Sequence, residues 1–317
     1  MCNRVRSSWL PLAAAILLLA PPAAAVTIDW VTVGAAGNAA DTTGFGSVAD
    51  VYRISKTEIT NAQYAEFLNK VAATDTNGLY NTGMGIGVGG IARSGSSGSF
   101  TYSTITGREA KPVASVSFFD TLRFSNWLQN GQPTGVQDNT TTEDGAYTIT
   151  ALGIANNSIT RNSGATFFLT SEDEWYKAAY FDAASTSYFN FPSGTDTQIV
   201  CALPGATPNT ANCGNVVKDL TDVGSYTGSA SPAGTFDQGG NLWEWNEAIL
   251  GGTNRGLRGG GLADISLNLG ASVRSSVSAS SELDILGFRV ASVPEPGPGL
   301  LLMMGLLGLA GLHRRRD

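Results

Sequence analysis

Histidine is nearly absent from this chain. Its one copy, His313, stands close to the C-terminal end, and none occurs between Val26 and Val293. That gap excludes Ser-His-Asp and Cys-His nucleophile activation, and any histidine-ligated zinc or iron centre, from the body of the protein. Charge is also sparse, at 14% of residues, and basic charge is the scarcer kind, 19 Lys and Arg against 26 Asp and Glu. With no basic stripe, nucleic acid is excluded as a partner. No GK[ST] or G-x-G-x-x-G stands between a strand and a helix, which removes a phosphate loop. No period of about 20–50 residues recurs, so the chain is not a solenoid. The only long apolar runs lie at the two ends, and both fall short of the roughly 20 residues that a membrane span needs.

Those ends read as addresses. Arg4 and Arg6, the apolar run Leu10 to Ala20 and the small residues Ala23-Ala24-Ala25 form a secretory signal over 1–25, the alternative being an uncleaved anchor. At the other end, "VPEPGPGLLLMMGLLGLAGLHRRRD" sets a Pro/Gly break before an apolar run and a cluster of arginines, the order that keeps the arginines cytoplasmic and the body across the membrane. Residues 294–317 resemble a PEP-CTERM sorting signal with a short transmembrane segment. The resemblance implies an exosortase-type sorting peptidase as partner, transient anchoring in the inner membrane of a Gram-negative bacterium, and delivery to the envelope, surface or extracellular matrix. A plain tail anchor is the alternative. Without both ends the body, 26–293, keeps 14 basic and 24 acidic residues, a formal charge of −10, which suits cations.

The chain's 39 glycines, most of them in the body, and long Ser/Thr/Asn stretches predict a loop-rich globule. "VYRISKTEITNAQYAEFLNKV" reads as a strand and then a helix, with Thr60 and Gln63 as a capping box and Tyr64, Phe67, Leu68 and Val71 on one face. "PVASVSFFDTLRFSNWLQNG" repeats the arrangement, with Ser117 and Asp120 at the start, Phe124, Trp127 and Leu128 inward and Gly131 as the stop. In "RNSGATFFLTSEDEWYKAAYFD", Ser171 and Glu174 predict a third helix start; Glu172, Asp173 and Glu174 look like a catalytic cluster but are accounted for by that start. "NTGMGIGVGGIARSGSSGSF" reads as a flexible insertion. Beyond the leader's Cys2, Cys201 and Cys213 remain in a loop-like run, and in an oxidising compartment they are expected to pair; two separately buried thiols are the alternative.

Six segments in order, "KTEITNAQYAEFLN" (56–69), "KPVASVSFFDTLRFSNWL" (111–128), "FLTSEDEWYKAAY" (168–180), "GGNLWEW" (239–245), "LRGGG" (257–261) and "GFRVA" (287–291), resemble the formylglycine-generating enzyme, or sulfatase-modifying factor, family. The resemblance implies an α+β fold related to the C-type-lectin-like folds, loop-rich with few short helices and strands, and often holding calcium. Carried onto this chain, it makes Asn241, Leu242 and Glu244 ligands of one calcium, through side chains and a turn carbonyl. A second site falls on Asn212, the Cys213 carbonyl and Asp219, with Asp222 an equal candidate for the last place. Oxygen donors on tight turns suit a hard cation. For Glu244, hydrogen bonding to neighbouring backbone amides is the alternative.

Catalytic relatives carry a cysteine pair between the "RGG" turn and "GFR" that binds copper(I). Here that interval, "GLADISLNLGASVRSSVSASSELDIL", has no cysteine. Asp264 and Ser266 stand nearest the expected positions, and their hard oxygens do not select copper(I), so no copper is expected. The expectation is a non-catalytic, exported binding or structural module, with a ligand groove near Arg258, Asp264 and Arg274 for an envelope or matrix polysaccharide or protein. The competing expectation is an oxidoreductase of the family with relocated chemistry.

Overall fold

Three serine or threonine side chains set where the main helices begin. In the computed structural model, which describes residues 25–294, α1 (Asn61–Val71) starts at Thr60, whose hydroxyl accepts from the Gln63 amide while the Gln63 side chain returns to the Thr60 amide. The same reciprocal box joins Ser117 and Asp120 at α2 (Phe118–Gln129). After the short α3 (Ala151–Ala155), it recurs with Ser171 and Glu174 at α4 (Glu172–Tyr180). Each box satisfies two amides that a helix start leaves open, worth about 1 kcal/mol per cap. Gly131, at φ +81°, lies just past the end of α2, in the left-handed conformation that favours glycine there.

The apolar faces meet in one aromatic core. Phe67 of α1 lies 5.3 Å from Phe124 and 5.2 Å from Trp127 of α2, ring centre to ring centre, and Phe288 closes on Phe124 at 5.4 Å. These rings are fully buried, and burying such a side chain contributes about 1.5–3 kcal/mol.

Two four-stranded sheets flank the helices. In the first, Val290–Ser292 runs antiparallel between Tyr52–Ser55 and Phe167–Leu169, with Trp30–Val33 at the edge beyond Tyr52–Ser55. In the second, Trp243–Ile249 pairs antiparallel with Asn254–Arg258, which in turn pairs with Ser275–Ser278; on its other side it runs parallel to Leu286–Gly287. This is the α+β architecture of short elements that the sequence suggests.

The glycine-rich stretch differs from the expectation of a flexible insertion. It holds a 3₁₀ turn, Thr82–Gly85, and an antiparallel hairpin of Ile91–Ser94 with Thr101–Thr104, and it buries Met84 and Ile91. Gly90 there passes so close to α1 that a Cβ would stand 2.2 Å from Asn61 Nδ2, so the glycines serve close approach. The signal over 1–25, save Ala25, and the sorting tail, save Pro294, lie outside the described residues. Among the described residues no helix is long and apolar enough to cross a membrane.

Candidate functional site

The turn at residues 239–245 is built on two left-handed residues, Gly240 at φ +88° and Asn241 at φ +63°. A Cβ on Gly240 would stand 2.4 Å from the Asn212 carbonyl oxygen, so only glycine allows the two turns to touch. Asn241 is one of the few other residues that accept this conformation. Its Oδ1 accepts from Asn212 Nδ2 at 3.1 Å and from the Thr221 amide at 3.0 Å, and its Nδ2 donates to Glu58 Oε2 at 3.0 Å. Leu242 turns its side chain into a small apolar cluster with Ala114, Leu220 and Leu262.

Glu244 has no exposed surface. Arg289 grips both of its oxygens, Nε to Oε2 at 2.6 Å and Nη2 to Oε1 at 2.7 Å, and Trp175 Nε1 donates to Oε2 at 2.7 Å. The guanidinium also reaches the Ser55 and Phe236 carbonyls. The residues present therefore do not fit a calcium ion at this turn. The Asn241 oxygen is spent on two hydrogen bonds, and the Glu244 carboxylate is already matched to a cation, an arrangement that differs from the side-chain ligand roles expected of Asn241 and Glu244. It also differs from the alternative, since side chains and not backbone amides hold Glu244. Glu58 and Asp237 lie beside the same pair. Burial raises the pKa of Glu58 well above the ordinary range, helped by the charges of Asp237 and Glu244, and pushes Asp237 up to about 6.

The second expected metal set comes together only in part. Cys213 forms a disulfide with Cys201 across 4.9 Å between Cα atoms, and its carbonyl accepts from the Val216 amide at 3.2 Å. Asn212 Nδ2 donates to the Asp219 carbonyl at 2.9 Å, while its Oδ1 is buried with no partner. Asp219 is gripped by Arg108, Nη1 to Oδ2 at 3.0 Å and Nη2 to Oδ1 at 2.7 Å. Its partial burial pulls upward, but the Arg108 hydrogen bonds and charge, with Lys111, hold its carboxyl below the usual range. Among the described residues no cluster of three or more His, Cys, Asp or Glu is placed to hold a metal ion.

The expected ligand groove is closed. Arg258 is fully buried. Its Nε donates to Glu172 Oε1 at 2.8 Å, Nη1 donates to the Ala271 and Val273 carbonyls, and the guanidinium lies 4.7 Å from the Phe45 ring centre. Arg274 meets it on the other oxygen of Glu172 at 2.5 Å. Asp264 is bonded to neither arginine. Its Oδ2 accepts from Trp243 Nε1 and the Gly261 amide, both at 2.8 Å, and its Oδ1 from Asn268 Nδ2 at 2.8 Å. Ser266 Oγ accepts from Gln198 Nε2 at 2.6 Å. The helix-start acids divide: Glu174 completes the cap and pairs with Arg161, Asp173 accepts from the Gly46 amide, and Glu172 is the buried partner of two arginines.

Open space lies elsewhere. The largest of three clefts, about 770 Å³, runs between residues 35–42 and 181–196, past Asn38, Asp41, Tyr188 and Asn190. A second, about 560 Å³, passes Arg161 and Glu174. A third, about 410 Å³, is lined by Asp120, Arg123 and Glu282; burial pushes Asp120 up to about 7. None of the three is lined by Arg258, Asp264 or Arg274. Sequence reasoning missed the arginine partners of Glu244 and Asp219. The signal available was a lone charge inside an apolar run, Glu244 in "LWEW" and Arg289 in "GFRV".

With this geometry in place, comparison assigns the class. The sulfatase-modifying factor enzyme 1-like domain matches residues 34–293, and the chain belongs to that family. Among solved structures it is similar to CarF, with 19% identity, a TM-score of 0.55, and 85% of this chain and 99% of that one covered. It is also similar to variable protein 1 of Treponema denticola, at 19% identity, a TM-score of 0.49, and coverage of 85% and 96%. PvdO of Pseudomonas aeruginosa aligns at 13% identity, with a TM-score of 0.43 and coverage of 84% and 92%. At such identities CarF supports the fold alone. No curated protein sequence matches the chain.

Proposed function

We propose that this protein is an exported, surface- or matrix-sorted member of the family that does not carry out its copper-dependent oxidation and acts as a binding or structural module. One observation carries the reading. The segment from Gly261 to Leu286, where catalytic relatives hold copper(I) on two thiolates, has no sulfur, and Asp264, the carboxylate nearest the expected positions, is tied to Trp243, Gly261 and Asn268. Hard oxygens already engaged in hydrogen bonds do not replace soft thiolates. The two cysteines of the body are joined to each other in another segment.

A binding role then belongs to an open cleft and not to the buried Arg258. The groove between residues 35–42 and 181–196, with amide, carboxylate and aromatic side chains on its walls, is the place for an envelope or matrix polysaccharide or protein. Export and tail sorting by an exosortase-type peptidase rest on the two terminal signals in the sequence.

The test is oxygen consumption by purified protein given copper(I) and a cysteine-containing peptide. No turnover is expected. Turnover that survives replacement of both Cys201 and Cys213 by serine refutes the reading in favour of an oxidase with relocated chemistry. Saturable binding on glycan or peptide arrays separates a binding module from a purely structural block.

A further inference from the structure

The corner between Asn212 and Thr221 sets the family's calcium against the donors this chain offers. A calcium ion takes 6–8 oxygens at about 2.3–2.6 Å. One acceptor is spare, the buried Asn212 Oδ1, but the acid that would supply the charge is already covered by cations. Arg108 holds both Asp219 oxygens. The Lys111 ammonium stands 3.8 Å from Asp219 Oδ2 and donates to the Leu220 carbonyl. Lys111 and Arg108 each keep only 16% of their side-chain surface exposed, against 36% for Asp219. A divalent ion placed among these oxygens would face two positive charges at close range.

We propose that the Lys111 ammonium is the resident cation of this corner. It takes the position, on the Asp219 carboxylate and the Leu220 carbonyl, that a divalent ion would otherwise fill. The fold is then independent of calcium, and the Asp219 carboxylate stays covered by Arg108 unless the charges of residues 108 and 111 are both removed. Arg289 performs the same service for Glu244 in the interior, which is why neither corner needs a metal. The inference stands apart from the binding role proposed above and survives or fails without it.

The test is thermal melting of the whole secreted chain in chelator and in calcium, with calorimetric titration of calcium alone. Wild type is expected to melt within about 1 °C in both conditions and to take up no calcium; one bound ion at ten times its Kd would raise Tm by about 3–5 °C. Arg108→Met with Lys111→Met is expected to melt lower in chelator, to recover in calcium and to bind it, and to lose that response when Asn212→Ala is added. Arg108→Gln with Lys111→Gln, which leaves a polar end for the Leu220 carbonyl, carries the same test in a milder background. A wild-type Tm that falls on chelation, calcium uptake by wild type, or double variants indifferent to calcium overturns the proposal.

Discussion

Glu244 and Asp219 are the two acids that the family resemblance marks as metal ligands, and they end in opposite surroundings. Glu244 is sealed from water and held by one arginine and an indole. Asp219 keeps 36% of its side chain exposed and is shared by an arginine and a lysine. Both corners are closed by side-chain cations, yet the energetic weight differs. Removing one partner of a buried pair strands a charge, whereas water and salt replace much of what an exposed pair supplies.

Arg289→Met gives the largest expected effect. It leaves Glu58, Asp237 and Glu244 together without their guanidinium, and chemical denaturation is expected to show a loss of about 3–5 kcal/mol. A loss under 1 kcal/mol would erase the distinction between the two corners.

The interior corner also sets a pH dependence. Asp237 has a folded pKa of about 6 against an ordinary 3.8, chiefly through burial, and that of Glu58 is raised as well. An acid whose folded pKa is raised stabilises the fold fully below its unfolded pKa, and that contribution is lost as pH rises through the folded value. Tm is therefore expected to fall between about pH 4 and pH 7, and Asp237→Asn to flatten the slope. A wild-type Tm that rises over this interval would show the carboxylates to be charged throughout.

Asp219→Asn is the mildest change. With its side chain partly exposed, the loss is expected to stay below about 1 kcal/mol and to shrink further in high salt. A salt-independent loss as large as that of Arg289→Met would place both acids in one class.

What the sequence disclosed was local. Thr60 with Gln63 and Ser171 with Glu174 announce helix starts because both partners stand three residues apart, and Tyr64, Phe67, Leu68 and Val71 share a face because the helix period brings them round. The six segments disclosed the fold through their order. The pairings that decide the site are distant: Glu244 meets Arg289 across 45 positions, and Arg108 meets Asp219 across 111. Nothing in local spacing encodes such meetings. The hairpin of Ile91–Ser94 and Thr101–Thr104 was hidden for another reason: its glycines, which signal mobility in isolation, here let one backbone approach another.

The position of Val290–Ser292 between two strands that precede it by more than a hundred residues governs when this domain can fold. A chain emerging N-terminus first exposes both neighbouring strands, unjoined, until the last part of the domain has arrived, and Arg289 reaches Glu244 only at that moment. Such distant pairing makes closure slow and late. A chain cut short by a few residues at 289 would lose the middle of a sheet and its buried counter-ion in one stroke.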